Sequence, residues 1–428
     1  MHRGVQAIAH DWPGRRAGVQ HWPFNRSLKE LGFDAACIAF ILAIASSARL
    51  PAIDRAAWLL ADLTMVVMLT TWHSQFIDAA RKNLILLSWP ALATMSSLWS
   101  LTPGISQYHG VQLFATVLVG FLLSIFARLD RLVPLVFAAF FGSAILSAAF
   151  VLAVPSSGIA EAGEWQGVYA HKNLMGSMMG LLAIAAACLF LEGWYRWLSG
   201  GAMLFAAMLL LLSRSGTAVV VLAVTLTAVP VSMIVRKGMI AAGMAAGLAL
   251  MASAAAFIIL EAYGFDLMQL VLRALGKDDT LTGRTLLWNI AIDAYESRPW
   301  SGFGYKAWWA VEETGAPFVK YITGSEAGSF HNTFLEVAVA FGHAGLLLLV
   351  LGLVASFIVA LRAHFLDGRP ISLWPLLTVV YIALTCTAET MLFANHSMFQ
   401  LLLVVATASA ARHISLQRAE RGGIAGTR

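Results

Sequence analysis

The chain has 428 residues, of which 59% are hydrophobic and only 12% charged. Soluble domains carry about 25% charged residues, so this chain has roughly half the charge needed to coat a water-facing surface. A run of about 20 apolar residues spans a bilayer, and such runs recur along the whole chain, which excludes a soluble enzyme and predicts an all-α polytopic membrane protein. The net charge of +5 is spread over short links and is not interleaved with aromatics, so nucleic acid is not an expected partner.

In chain order, residues 1–30 are basic and lack an apolar h-region. They are expected to form a cytoplasmic tail, with the first apolar run acting as the targeting signal. Windows bounded by charge or turn residues then give about twelve spans. The first eight are Phe33–Ala48, Ala56–Trp72, Leu84–Leu101, Val111–Ala127, Leu132–Val154, Leu174–Leu191, Trp197–Leu212 and Thr217–Val235. The last four are Met239–Tyr263, Asn332–Leu361, Ile371–Leu392 and Ser397–Ala411. The expected layout is nine transmembrane helices over 31–263, a long periplasmic loop with amphipathic helices over 264–331, three more over 332–411, and a cytoplasmic tail over 412–428. Most of the 28 Lys and Arg residues then fall in cytoplasmic segments, as the positive-inside rule requires. Such residues also contact anionic membrane lipids. Cys37, Cys188 and Cys386 lie far apart inside apolar runs and read as small core residues.

Polar residues on the outer side concentrate in a few places. His171-Lys172-Asn173 closes the loop that starts at Pro155, and Lys172 there either snorkels or binds a ligand. Ser213-Arg214-Ser215-Gly216 joins two apolar runs with almost no loop. An arginine inside a membrane costs about 2.5–3.5 kcal/mol, so Arg214 is a functional candidate.

In the long loop, Leu286, Leu287, Ile290, Ala291 and Ala294 follow Arg284 at helical spacing, with Asp293 and Glu296 on the other side. Arg284 therefore stands at a helix N-terminus, where a cation and the helix start together can bind an anion. Arg298-Pro299 stops that helix and Gly302-Phe303-Gly304-Tyr305 makes a tight turn.

His331 opens the tenth span, followed by Asn332; an imidazole there can take a proton from a hydroxyl. His343, twelve residues on, reads as a packed or hydrogen-bonded core residue. Glu389 and Asn395 flank the outer end of the eleventh span, where a carboxylate can orient a base or pair with an arginine. The chain holds no Walker loop, His-Glu-x-x-His, Gly-x-Ser-x-Gly or Cys/His cluster. No metal or other cofactor is expected.

As an ordered set, these segments resemble a family. They are Trp165-Gln166-Gly167-Val168-Tyr169-Ala170-His171-Lys172-Asn173-Leu174-Met175-Gly176, Leu212-Ser213-Arg214-Ser215, Thr282-Gly283-Arg284-Thr285-Leu286-Leu287-Trp288, Arg298-Pro299 through Tyr305, Ser329-Phe330-His331-Asn332-Thr333-Phe334-Leu335-Glu336 and Ala388-Glu389-Thr390 with Asn395. The set is similar to exopolysaccharide polymerases of the ExoQ type, within the O-antigen ligase and Wzy-type polymerase superfamily.

The resemblance covers roughly residues 30–412. It implies a GT-C-like glycosyltransferase of the bacterial inner membrane with its active site on the periplasmic side. Such an enzyme moves a glycan from undecaprenyl diphosphate to an acceptor sugar hydroxyl, with no nucleotide and no metal. The acceptor is a lipid-linked repeat unit or, for a ligase, lipid A-core; other polysaccharide assembly proteins are the further partners it implies. On this resemblance Arg214 and Arg284 bind the diphosphate as leaving group, and His331 activates the acceptor. His171, Lys172, Asn173, Arg298, Tyr305, Asn332, Glu389 and Asn395 are the expected substrate-binding residues. Fixed arginine forks suit a departing diphosphate where water is scarce, and a base on the opposite face of the sugar gives inversion. The rival of another class, a transporter or flippase, would show paired broken helices in two repeated halves, and no such repeat is legible.

Overall fold

The computed structural model describes residues 34–35, 37–41, 51–71, 73–126, 128–238, 284–323, 328–394 and 396–425. Among them the regular structure is helical, with a single isolated antiparallel bridge between Ile159 and Trp165. Six stretches are long and apolar enough to cross a membrane: Pro103–Ile125, Leu129–Ala153, Lys172–Glu192, Gly216–Val235, Thr333–Asp367 and Met398–Ala419. Three shorter apolar helical stretches, Ile85–Leu98, Arg196–Leu212 and Pro370–Thr385, lie among them. The chain is thus an all-α, multi-pass membrane protein. The expected Phe33–Ala48 span is only partly covered by the described residues, and Met239–Tyr263 lies outside them.

The helices used below are α1 (Pro51–Thr71), α2 (His73–Lys82), α3 (Ile85–Met95), α4 (Pro103–Phe126), α5 (Leu129–Ala153), α6 (Lys172–Glu192), α7 (Arg196–Leu212) and α8 (Gly216–Leu226). They continue with α9 (Ala228–Lys237), α10 (Arg284–Ser297), α11 (Ala316–Thr323), α12 (Thr333–Asp367), α13 (Leu373–Thr385) and α14 (Met398–Ala425). Residues 412–425, expected as a tail, continue α14 as helix.

α6 is the axis of the bundle and is surrounded by α5, α7, α8 and α13. Its small residues, among them Gly176, Gly180, Ala183 and Ala186, let neighbouring backbones approach where no hydrophobic force drives helices together. Tyr381 of α13 fills the space beside Gly180, and its hydroxyl donates to the Ser177 carbonyl at 3.1 Å. At the far end from His331, Arg369 ties α5 to α6 through Asp130 at 2.6 Å and Glu192 at 2.8 Å.

A kink in α12 docks the extramembrane segment. Gly342 breaks the helical path with φ 64° and ψ −152°, a conformation that suits glycine. The break frees the carbonyls of Val339 and Ala340, which accept from Phe303 and Gly304 N–H at 2.9 Å each. His343 N–H in turn donates to the Pro299 carbonyl at 2.8 Å. Irregular backbone at this depth is tolerated because these partners satisfy it.

The tight turn read at 302–305 is therefore a splice into a membrane helix. Above it Leu287, Ala291, Phe303, Trp308, Ala316, Val319, Phe330 and Val339 make a second small core. Of the apolar face expected on α10, Leu287 and Ala291 are buried there, whereas Leu286 is 48% exposed. His343, expected to sit in the core, is exposed and bonds the Tyr295 hydroxyl.

Candidate functional site

Five segments far apart in sequence meet at the His331 end of the bundle, and Glu389 is their meeting point. It lies in the link after α13 and is 3% exposed. Its Oε1 accepts from Arg284 Nη2 at 2.7 Å and from Asn173 Nδ2 at 2.9 Å. Its Oε2 faces His331 Nδ1 at 3.2 Å. Arg284 Nη1 also donates to the Ala388 carbonyl at 2.7 Å, and Thr333 Oγ1 donates to the Glu389 carbonyl at 2.7 Å. Burial pushes the Glu389 carboxyl up, but the hydrogen bond from His331 and the charge of Arg284 outweigh it and hold it below the usual carboxylate range.

An ionised carboxylate only accepts, so the His331 Nδ1 facing it must carry the proton. That leaves the lone pair on Nε2, on a side chain that is 37% exposed. Carboxylate, imidazole and tautomer are arranged as an oriented base requires. Backbone geometry holds the ring there. His331 has φ 50°, and Asn332 then caps α12 by accepting from Phe334 N–H at 2.9 Å and Leu335 N–H at 3.2 Å. Asn332 Nδ2 bonds the Thr387 carbonyl at 3.1 Å, tying the cap to the Glu389 link.

The other flank is built from α6, α7 and α8. Asn173 bridges the two halves, since its Oδ1 accepts from Ser215 Oγ at 3.1 Å while its amide serves Glu389. Ser213-Arg214-Ser215 turns tightly between α7 and α8, with Arg214 at φ 49°. Gly176 makes this possible, because a Cβ there would lie 2.8 Å from that of Ser215. Arg214 is exposed and donates to the Ala162 carbonyl at 3.0 Å. Beside it Lys172 pairs with Glu164 at 2.7 Å, and that hydrogen bond holds the Glu164 carboxyl below its ordinary value. His171 caps α6 by accepting from Leu174 N–H at 3.2 Å.

The structure thus brings together Asn173, Arg284, His331 and Glu389, with Lys172, Arg214 and Asn332 around them. Two expected residues stand apart. Arg298 is exposed and stacks on Phe303 at 4.7 Å. Tyr305 has no exposed surface; it packs against Trp89, Phe341 and Phe393, and its hydroxyl is spent on the Phe393 carbonyl at 2.6 Å. Asn395 lies outside the described residues.

Glu164, Ser215 and Glu336 lie in segments the sequence singles out, yet the sequence assigns none of them a role. Glu336 is buried in the first turn of α12, where its oxygens accept from Phe330 N–H at 2.7 Å and Trp309 Nε1 at 3.1 Å. A carboxylate inside an apolar helix was the signal available for it. Among the described residues no group of His, Cys, Asp and Glu is arranged to hold a metal ion.

Residues 201–350 match the family model described as O-antigen ligase. That region holds Arg214, Arg284 and His331, while Asn173 and Glu389 lie outside it. Fold and match together define the class: a multi-pass α-helical membrane protein similar to O-antigen ligases. Over 220 residues the chain is also 36% identical to the exopolysaccharide production protein ExoQ of Rhizobium meliloti (strain 1021). The match covers 47% of this chain and 48% of that protein, so the chain spans about half the length of the curated relative it matches. The resemblance drawn from the motif series is the one these comparisons return.

Proposed function

We propose that the protein is an inverting glycosyltransferase that moves a glycan from undecaprenyl diphosphate to an acceptor sugar hydroxyl. The observation that carries this reading is the Glu389–His331 pair, flanked by Arg284 and Arg214. His331 Nε2 takes the proton of the acceptor hydroxyl as its oxygen attacks the anomeric carbon. The bond from that carbon to the phosphate oxygen breaks, and the diphosphate leaves with the electron pair. Glu389 is a positioning residue: it fixes the tautomer and stabilises the imidazolium that forms.

Arg214 and the unspent N–H groups of Arg284 hold the developing charge. A guanidinium has five N–H donors, and those named above use two of Arg284's. Lys172 adds positive charge beside Arg214.

On the charge distribution of the links, both termini are cytoplasmic and the site faces the periplasm; the family resemblance adds a bacterial inner membrane and about twelve spanning helices in a GT-C-like arrangement. The name of the exopolysaccharide production relative favours polymerisation of lipid-linked repeat units. The family description favours a second reading, transfer to lipid A-core.

The test is purified protein in detergent with an undecaprenyl-diphosphate glycan and a matching acceptor. A glycosidic product with inverted anomeric configuration is expected. No product from any cognate repeat unit, with movement of the lipid across vesicles instead, would refute the enzyme reading in favour of a transporter. In a deletion strain, loss of secreted polymer with intact capped lipopolysaccharide marks the polymerase, and the converse marks the ligase.

A further inference from the structure

Five non-glycine residues among those described have left-handed backbones: Tyr195, Arg214, Lys306, His331 and His396. Such a conformation is strained for a residue with a side chain and persists where the surroundings impose it, often at functional sites. Arg214 and His331 belong to the site above, and Tyr195 precedes α7 at the other end of the bundle. Lys306 and His396 are unexplained by that site, yet both lie at its end of the molecule.

The two residues face one polar stripe on α4. Ser106 Oγ donates to the Tyr305 carbonyl at 2.8 Å, which lays the Lys306 turn on the first turns of α4. On the same side of α4, His109 Nδ1 meets Gln112 Oε1 at 3.1 Å, and Thr116 Oγ1 meets His396 Nδ1 at 3.3 Å. The His396 ring stacks on Trp58 at 4.2 Å. Lys306 Nζ lies 5.0 Å over the Phe393 ring and 5.9 Å over Tyr305.

Among the described residues the Lys306 ammonium meets aromatic rings and no hydrogen-bond acceptor, which leaves its three N–H donors for a ligand. Its charge reaches His109 and Glu336, but both Glu336 oxygens already accept from Phe330 and Trp309. Glu336 is also within electrostatic reach of His331, so the Lys306 cluster flanks the base. Lys306, His109, Gln112 and His396 are all half-buried. Tyr108, 61% exposed and edge-on to His109 at 5.0 Å, borders them with an aromatic surface suited to a sugar ring.

We propose that Lys306, His109 and His396 form a second site for a phosphate-bearing group, distinct from the Arg214–Arg284 donors, which holds the acceptor while its hydroxyl meets His331. The role as acceptor site rests on the proposed transferase reading; the second anion site does not. The phosphate comes either from a lipid carrier or from the glycan itself. An ammonium and imidazoles, with an amide and a hydroxyl beside them, suit a phosphate.

The test is calorimetric titration of the full chain in detergent with two probes, farnesyl diphosphate and inorganic diphosphate. Two binding events are expected, one weakened at least tenfold by Arg214→Ala and the other by Lys306→Gly. Glycine accepts φ 61°, so Lys306→Gly removes the ammonium without disturbing the turn. Lys306→Arg should retain the second event, and His109→Gln should weaken it. If farnesyl diphosphate shows that event and inorganic diphosphate does not, the ligand is a lipid carrier; if both show it, the phosphate alone is recognised. A single event lost in Arg214→Ala and indifferent to Lys306→Gly overturns the second site and leaves the transferase reading standing. A single event lost in Lys306→Gly and indifferent to Arg214→Ala supports this site and removes Arg214 from diphosphate binding.

Discussion

Replacing Glu389 with glutamine keeps the size of the side chain and changes what it can do for its neighbours. Two donors, Arg284 Nη2 and Asn173 Nδ2, converge on Oε1, and one nitrogen, His331 Nδ1, faces Oε2. A glutamine placed here therefore turns its carbonyl toward the two donors and its NH2 toward His331. The imidazole must then accept at Nδ1 and carry its proton on Nε2, where the lone pair is needed.

A wrong tautomer cost about 10⁴-fold in kcat in the serine-protease triad, and a general base contributes about 10²–10⁴-fold. Glu389→Gln should accordingly lower kcat by about 10²–10⁴-fold, or about 2.7–5.4 kcal/mol at 1.36 kcal/mol per decade. Stability should fall less, by about 1–1.5 kcal/mol, the difference between a charged and a neutral hydrogen bond, because Arg284 keeps a neutral acceptor in place of a charged one. Glu389→Ala leaves Arg284 buried without its carboxylate and should cost about 3–5 kcal/mol. The assay is glycosidic product formation by purified variants, alongside thermal unfolding in the same detergent. The double variant with His331→Gln should be no slower than the slower single one, as expected of residues acting as a unit. Turnover of folded Glu389→Gln within threefold of wild type would refute the tautomer argument.

Three further outcomes follow from the same geometry. Arg214→Lys and Arg284→Lys keep the charge but lose the planar donor fork; both should lose most turnover, and Arg214→Ala should also weaken binding of the lipid carrier, measured by calorimetry. Asn332→Ala removes the cap of α12 and should cost about 1 kcal/mol, read as a lower Tm together with reduced kcat because His331 adjoins that cap.

The stabilisation due to Glu389 should depend on pH with a fixed sign. Its folded pKa lies below the ordinary value of 4.5, so its contribution is complete above that value and is lost as pH falls through the folded one. The Tm difference between wild type and Glu389→Gln should shrink as pH falls below about 4. A difference that grew below that pH would contradict it.

The sequence by itself determined the membrane class, because a charge content of 12% leaves no way to coat a soluble surface. It also picked out His331, Arg284 and Arg214, since basic residues at the ends of apolar runs are costly enough to stand out. The turn at 302–305 was legible as well, as its glycines have few other uses.

What such patterning does not carry is which of these ends meet. Asn173 and Glu389 are 216 residues apart, and nothing local to either indicates that one bonds the other. Only the tertiary structure decided that Glu389 is the centre and that Arg284 is ion-paired. Only it decided that Tyr305, at a motif position, is enclosed in an aromatic core. The reason is physical: hydropathy and helix-end chemistry act over a few residues, whereas the carboxylate's partners are chosen by the packing of α6, α10, α12 and α13 around one another.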